Sequence, residues 1–117
     1  MRDHTKLRAF HLADELAVAV YGATRSFPRE EQYGLTSQMR RAALSIPSNI
    51  VEGCARHTQA DYLHFLDMAY GSLRELDYQA SLAFRLGYLK PDAHNMLHGQ
   101  CEETSKVLAA LIRSLRP

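Results

Sequence analysis

No charge of one sign dominates this chain. Its 14 basic residues stand against 13 acidic ones, a formal net charge of +1, so the sequence as a whole is no electrostatic clamp for nucleic acid, and only a local patch could act as one. No apolar run approaches the ~20 residues that a membrane span requires. The opening Met1-Arg2-Asp3-His4-Thr5-Lys6 leads into an amphipathic pattern without the apolar block of a signal peptide, so a cytoplasmic protein without membrane contact is expected. Cysteine is scarce: Cys54 and Cys101 form no CxxC pair and read as reduced thiols in or near a core.

Catalytic patterns are missing as well. Di-iron bundles use Glu-x-x-His pairs facing inward from two helices, and the chain has none; Asp61-x-x-His64 is the nearest approach. His94, His98 and Glu102 stand four apart, a spacing that could bind zinc from one helix face, but no second ligand cluster joins them and a surface histidine stripe is the expected role. There is no Gly-x-Ser-x-Gly elbow and no phosphate-binding glycine loop. Gly71-Ser72 falls in mid-helix, where glycine suggests close packing of a neighbouring backbone. No catalytic residue, cofactor or metal is therefore expected.

What is present is helical period. At 117 residues, with 46% hydrophobic and 23% charged, the chain suits one soluble globular domain. Ala13, Leu16, Val20 and Ala23 place a first helix at about 8–26, ending before Phe27-Pro28. Thr36 is a candidate cap for a second at about 36–57, whose stripe Met39, Ala43, Ile46, Ile50, Gly53 runs through Pro47, where a kink is expected. Asn49 is positioned to saturate backbone groups that the proline frees. Thr58-Gln59-Ala60-Asp61 resembles a capping box and opens a third helix at about 59–86, closed by Gly87 in a left-handed cap with Tyr88 as its apolar contact. Pro91 suits the first position of a fourth at about 91–115, with Leu97, Cys101, Thr104, Leu108, Leu111 and Leu115 in four-three spacing. No strand-like alternation competes. Short connections and these stripes predict an all-α, antiparallel up-down-up-down four-helix bundle over residues 1–117.

The apolar residues outnumber what one bundle can bury. Leu66, Tyr70, Leu73, Ala80 and Phe84 mark the expected core face of the third helix, and Met68, Tyr78, Leu82 and Leu86 fall outside it. On the second helix Leu44 and Val51 project about 120° to 140° from the Met39 stripe, beside the small residues Ser45, Ser48 and Ala55. These six side chains are the candidate oligomer interface. Asp77 lies about 20° from Leu66 on the wheel and, if buried, needs a partner, for which Arg40 and Arg74 are the nearest arginines by face. Arg40, Arg41 and Arg56 make the second helix the most cationic candidate for contacting a nucleic acid or another partner.

The run Leu35-Thr36-Ser37-Gln38-Met39-Arg40-Arg41-Ala42-Ala43, followed by Ser45-Ile46-Pro47-Ser48-Asn49-Ile50 and Glu52-Gly53, resembles the signature of the four-helix-bundle proteins encoded in 23S rRNA gene intervening sequences. Phe65-Leu66, Ala69, Gly71-Ser72-Leu73, Glu75-Leu76 and Leu86-Gly87-Tyr88 extend the likeness over nearly the whole chain. The resemblance implies a cytosolic bundle forming a ring-like homo-oligomer, a pentamer being favoured, without enzyme activity or cofactor. It also implies kinship with the accessory bundle protein of diversity-generating retroelements, which is associated with a reverse transcriptase and nucleic acid. That relative is basic and this chain is nearly neutral. Two readings follow: a non-enzymatic scaffold that docks a partner, or an RNA-binding accessory module using the arginines repeated around the oligomer.

Overall fold

The computed structural model describes residues 2–117. A 3₁₀ turn at His4–Lys6 precedes α1 (Arg8–Thr24), a second 3₁₀ turn at Arg29–Glu31 precedes α2 (Leu35–Cys54), and α3 (Gln59–Arg85) and α4 (Pro91–Leu115) complete the chain. Among the described residues there is no strand. α1 and α3 each pack against both α2 and α4, which makes α1 diagonal to α3 and gives the antiparallel four-helix bundle its square section. The long axis of 43 Å matches α3, whose 27 residues span about 40 Å at 1.5 Å per residue.

Local chemistry sets each boundary. α1 stops two residues before the expected end because the chain turns at Thr24, where the amide of Phe27 donates to the Thr24 carbonyl and Phe27 is buried against the Tyr88 ring. Thr36 is not the cap of α2. The helix begins one residue earlier, after Gly34, and Glu31 Oε1 accepts the Leu35 amide at 3.0 Å from the preceding turn. At its far end α2 finishes at Cys54, whose carbonyl accepts the Arg2 amide at 3.3 Å. The helix runs unbroken through Pro47. Asn49 does reach back one turn, but its amide donates to the Ser45 carbonyl and hydroxyl (2.8 and 2.9 Å) rather than to the Ala43 carbonyl that the proline leaves free.

Both ends of α3 follow the expected chemistry. Thr58 Oγ1 accepts the Asp61 amide at 3.1 Å, one arm of a capping box. At the other end Gly87 adopts φ of +83°, and the Tyr88 and Gly87 amides donate to the carbonyls of Ala83 (2.9 Å) and Phe84 (3.0 Å), the paired bonds of a Schellman motif. Pro91 opens α4 at its first position.

Leu16, Val20, Met39, Ile46, Ile50, Leu66, Leu73, Leu76 and Leu108 are fully buried at the centre, with alanines of α1, α2 and α3 between them. The core face of α3 is turned about 50° from the expected stripe: Tyr62, Ala69, Leu76 and Ala83 are buried, Tyr70 is half-buried and Phe84 is exposed. Small side chains let α3 approach both neighbours, and Tyr70 and Phe84 move to the rim while Tyr62 stays buried. Gly53 marks one such approach, since a Cβ there would lie 2.9 Å from Phe65 Cβ.

Candidate functional site

The arginines of α2 are held apart and mostly occupied. Arg40 turns back onto α1, where its Nε donates to Thr24 Oγ1 at 2.8 Å, its Nη2 to the Tyr21 carbonyl at 3.4 Å, and its guanidinium lies 4.8 Å from the Tyr21 ring centre. That is the C-terminal end of α1, the negative pole of the helix. Arg56, just beyond α2, pairs with Glu52 at 2.7 Å and stacks 4.5 Å over the Phe65 ring. Arg41 is exposed and forms no ion pair or side-chain hydrogen bond among the described residues. Fifteen residues, about 22 Å of helix, separate Arg41 from Arg56, so the three form no single patch in one chain. Arg40 and Arg41 do share a cavity of about 390 Å³ with Tyr21, Tyr33, Thr36 and Ser37 at the head of α2.

The apolar candidates divide between two sides of the bundle. On α3, Met68, Gly71, Glu75, Tyr78 and Leu82 follow one another at steps of three and four on the side turned from the core. Tyr78 is 61% and Leu86 51% exposed, Met68 is partly so, and Leu82 is half-buried. Gly71 lies in the middle of that row, and apart from the adjoining backbone of its own helix nothing comes within 4 Å of where a Cβ would stand. No backbone of the same chain therefore explains it. On α2, Leu44 is 52% exposed, and with Ala17, Val18, Tyr21 and Gly22 of α1 it lines a groove of about 500 Å³. Val51, seven residues on and on the same side, is also exposed. Ser45 faces α3 instead, where its hydroxyl meets that of Ser72 at 2.9 Å. Val18 and Tyr33 were not singled out by period. Val18 lies off the α1 stripe and Tyr33 lies in the connection before α2, where helical period does not apply.

A third group lines the α3/α4 groove. Asp77 finds its partner not in an arginine but in His98: Oδ1 and Nδ1 are 2.9 Å apart, and His98 Nε2 lies 3.0 Å from Glu102 Oε1. Rotation of α3 carries Asp77 to the rim, where α4 supplies the cation. An imidazole between two carboxylates satisfies both only as imidazolium, and the hydrogen bond it donates to Asp77, then the Asp77 charge, raise the His98 pKa above its ordinary value. His94, four residues earlier, instead stacks on Phe84 with ring centres 4.6 Å apart. Among the described residues no cluster of three potential ligands converges on a metal position. Cys54 and Cys101 are both buried and unpaired, and burial pushes the Cys101 thiol up to about 12, unsuited to nucleophilic work near neutral pH. No helix among the described residues is long and apolar enough to cross a membrane.

The family model of the 23S rRNA-intervening sequence protein matches residues 5–110. The crystal structure of a protein with unknown function from the S23 ribosomal protein family, from Bacteroides thetaiotaomicron, is similar, with a TM-score of 0.82 at 22% identity over 90% of this chain and 95% of that one. At that identity the likeness concerns the fold. No curated protein matches the chain.

Proposed function

The chain belongs to the family of 23S rRNA-intervening sequence proteins, and from that premise we propose that it is a non-enzymatic scaffold subunit that assembles with copies of itself into a closed ring. The observation that carries this reading is Gly71. A mid-helix glycine costs about 1 kcal/mol relative to alanine, and here no atom of its own chain occupies the space it leaves. Around it the exposed Met68 and Tyr78 and the half-buried Leu82 supply the apolar surface that a second backbone approaching at Gly71 would cover. A separate apolar groove at Leu44 and Val18 faces a different direction, because α1 is diagonal to α3. A two-fold contact made through one of these faces leaves the other in water. A head-to-tail contact between them covers both and gives a ring when its rotation closes, five chains being the number the family resemblance implies. The description of the family names no reaction.

The alternative, RNA held by Arg40, Arg41 and Arg56 together, has less support, since two of these guanidiniums already have partners within the chain. Light scattering coupled to gel filtration tests the scaffold. Several times the 13.3 kDa chain mass is expected for wild type, and Tyr78→Glu should dissociate the assembly while circular dichroism stays helical, because the new charge is desolvated only when a second copy covers it. A wild-type protein running as a single chain at micromolar concentration overturns the reading.

A further inference from the structure

Both apolar faces carry charge as well, and it is left unpaired within the chain. Asp14 on α1 and Arg25 just past its end line the Leu44 groove; they stand eleven residues apart, about 16 Å along a helix. On α3, Glu75 lies in the exposed row and Arg85 continues it, ten residues or about 15 Å further on. All four side chains are exposed. Among the described residues Asp14, Arg25 and Glu75 form no ion pair or side-chain hydrogen bond, and Arg85 donates only to a carbonyl of its own helix, that of Ser81 at 3.4 Å.

Equal spacing with opposite signs restricts how the two faces can meet. When α3 of one copy runs antiparallel to α1 of the next, Glu75 reaches Arg25 and Arg85 reaches Asp14 together. The same register sets Leu82 against Val18 and Tyr78 against Gly22. Gly22 lines the groove and, like Gly71, has nothing beyond the adjoining backbone of its own helix within 4 Å of where a Cβ would stand, so the groove is deepest where the exposed Tyr78 ring enters. A parallel arrangement makes one of these ion pairs at most. Pairing Asp14 with Arg74 sets Arg25 against Arg85, and pairing Arg25 with Glu75 carries Asp14 away from Arg85. We propose, on the premise that the chain forms the ring, that α3 of each copy seats antiparallel in the α1/α2 groove of the next, with Tyr78 over Gly22 and the register set by the pairs Arg25–Glu75 and Asp14–Arg85.

Sedimentation equilibrium over a dilution series tests this by reading the dissociation constant of the contact. Arg25→Glu, Glu75→Arg, Asp14→Arg and Arg85→Asp alone should each raise it by about tenfold, because an attraction becomes a repulsion. Arg25→Glu combined with Glu75→Arg, and Asp14→Arg combined with Arg85→Asp, restore opposite charges at every contact of the ring and should each return it to within about twofold of wild type. Asp14→Arg combined with Arg25→Glu keeps the net charge but mismatches both ends, and should remain dissociated. The substituted side chains are exposed, so circular dichroism should stay that of wild type throughout. A wild type that assembles while both matched pairs stay as weak as the single variants overturns the register and leaves the scaffold standing. Recovery by the Arg25 and Glu75 pair alone marks a parallel contact and also overturns it, and a wild type that runs as a single chain overturns register and scaffold together.

Discussion

Gly53 and Gly71 look alike in a sequence and have opposite surroundings in the bundle. A Cβ at Gly53 would press on Phe65 Cβ at 2.9 Å and on Tyr62 Cδ1 at 3.2 Å, so Gly53→Ala should lower stability by about 1–3 kcal/mol, the range for overpacking, read from urea unfolding. At Gly71 the space is open. Gly71→Ala should stabilise the isolated chain by about 0.5–1 kcal/mol through helix propensity and weaken self-association; light scattering that finds the assembly untouched would remove Gly71 from the interface. His98 supplies a residue-scale pH dependence. Its folded pKa is raised, chiefly by the hydrogen bond to Asp77, so its contribution is complete below the unfolded value of about 6.5 and is lost as pH rises through the folded one. The side chain is 48% exposed, which keeps the effect small. Nuclear magnetic resonance should find the His98 midpoint above about 6.5, and Asp77→Asn should bring it down; an unchanged midpoint in that variant would show that the pair is not the cause.

Among the elements, helix ends decide where the side chains of the candidate surfaces fall. The Schellman turn after α3 places Gly87 at φ of +83°, where an L side chain is strained by about 1–2 kcal/mol. Gly87→Ala should therefore lower the unfolding midpoint in urea without changing helix content, and a neutral result would mean that the turn relaxes to another cap. The start of α2 relies on Glu31 rather than on the hydroxyl of Thr36. The Leu35 amide, then the Tyr88 hydroxyl, hold the Glu31 carboxyl below its ordinary pKa, so its contribution is present at neutral pH and fades as pH falls through that lowered value.

At the scale of the whole molecule, the two apolar faces make a head-to-tail contact distinguishable from a symmetric one. Leu44→Glu disables one face and Tyr78→Glu the other, and each variant alone should be monomeric. Mixed, they should recover one sound contact, the Leu44 groove of the second variant against the Tyr78 face of the first, and give a species of twice the 13.3 kDa chain mass. A two-fold interface predicts no such complementation. Light scattering of the mixture decides between the two geometries.

The sequence by itself determined the helices and their order, because three-four periodicity, Pro91 and the Gly87 cap are local and each acts within a few residues of chain. It also determined that Met68, Tyr78, Leu44, Val51 and Leu86 stand outside the core, since a large angular offset survives moderate errors of phase. Smaller offsets did not survive. Phe84 and Tyr70 were expected inside and Asp77 beside an arginine, but packing against two neighbours turned α3 toward its alanines, exposed Phe84 and set Asp77 against His98. Tertiary structure alone decided that Arg40 caps α1, that Arg56 is paired, and that Arg41, Tyr33 and Thr36 meet around one cavity. Those relations join residues from different elements or depend on how a loop closes, and helical period carries no information about the rotation of one helix against another.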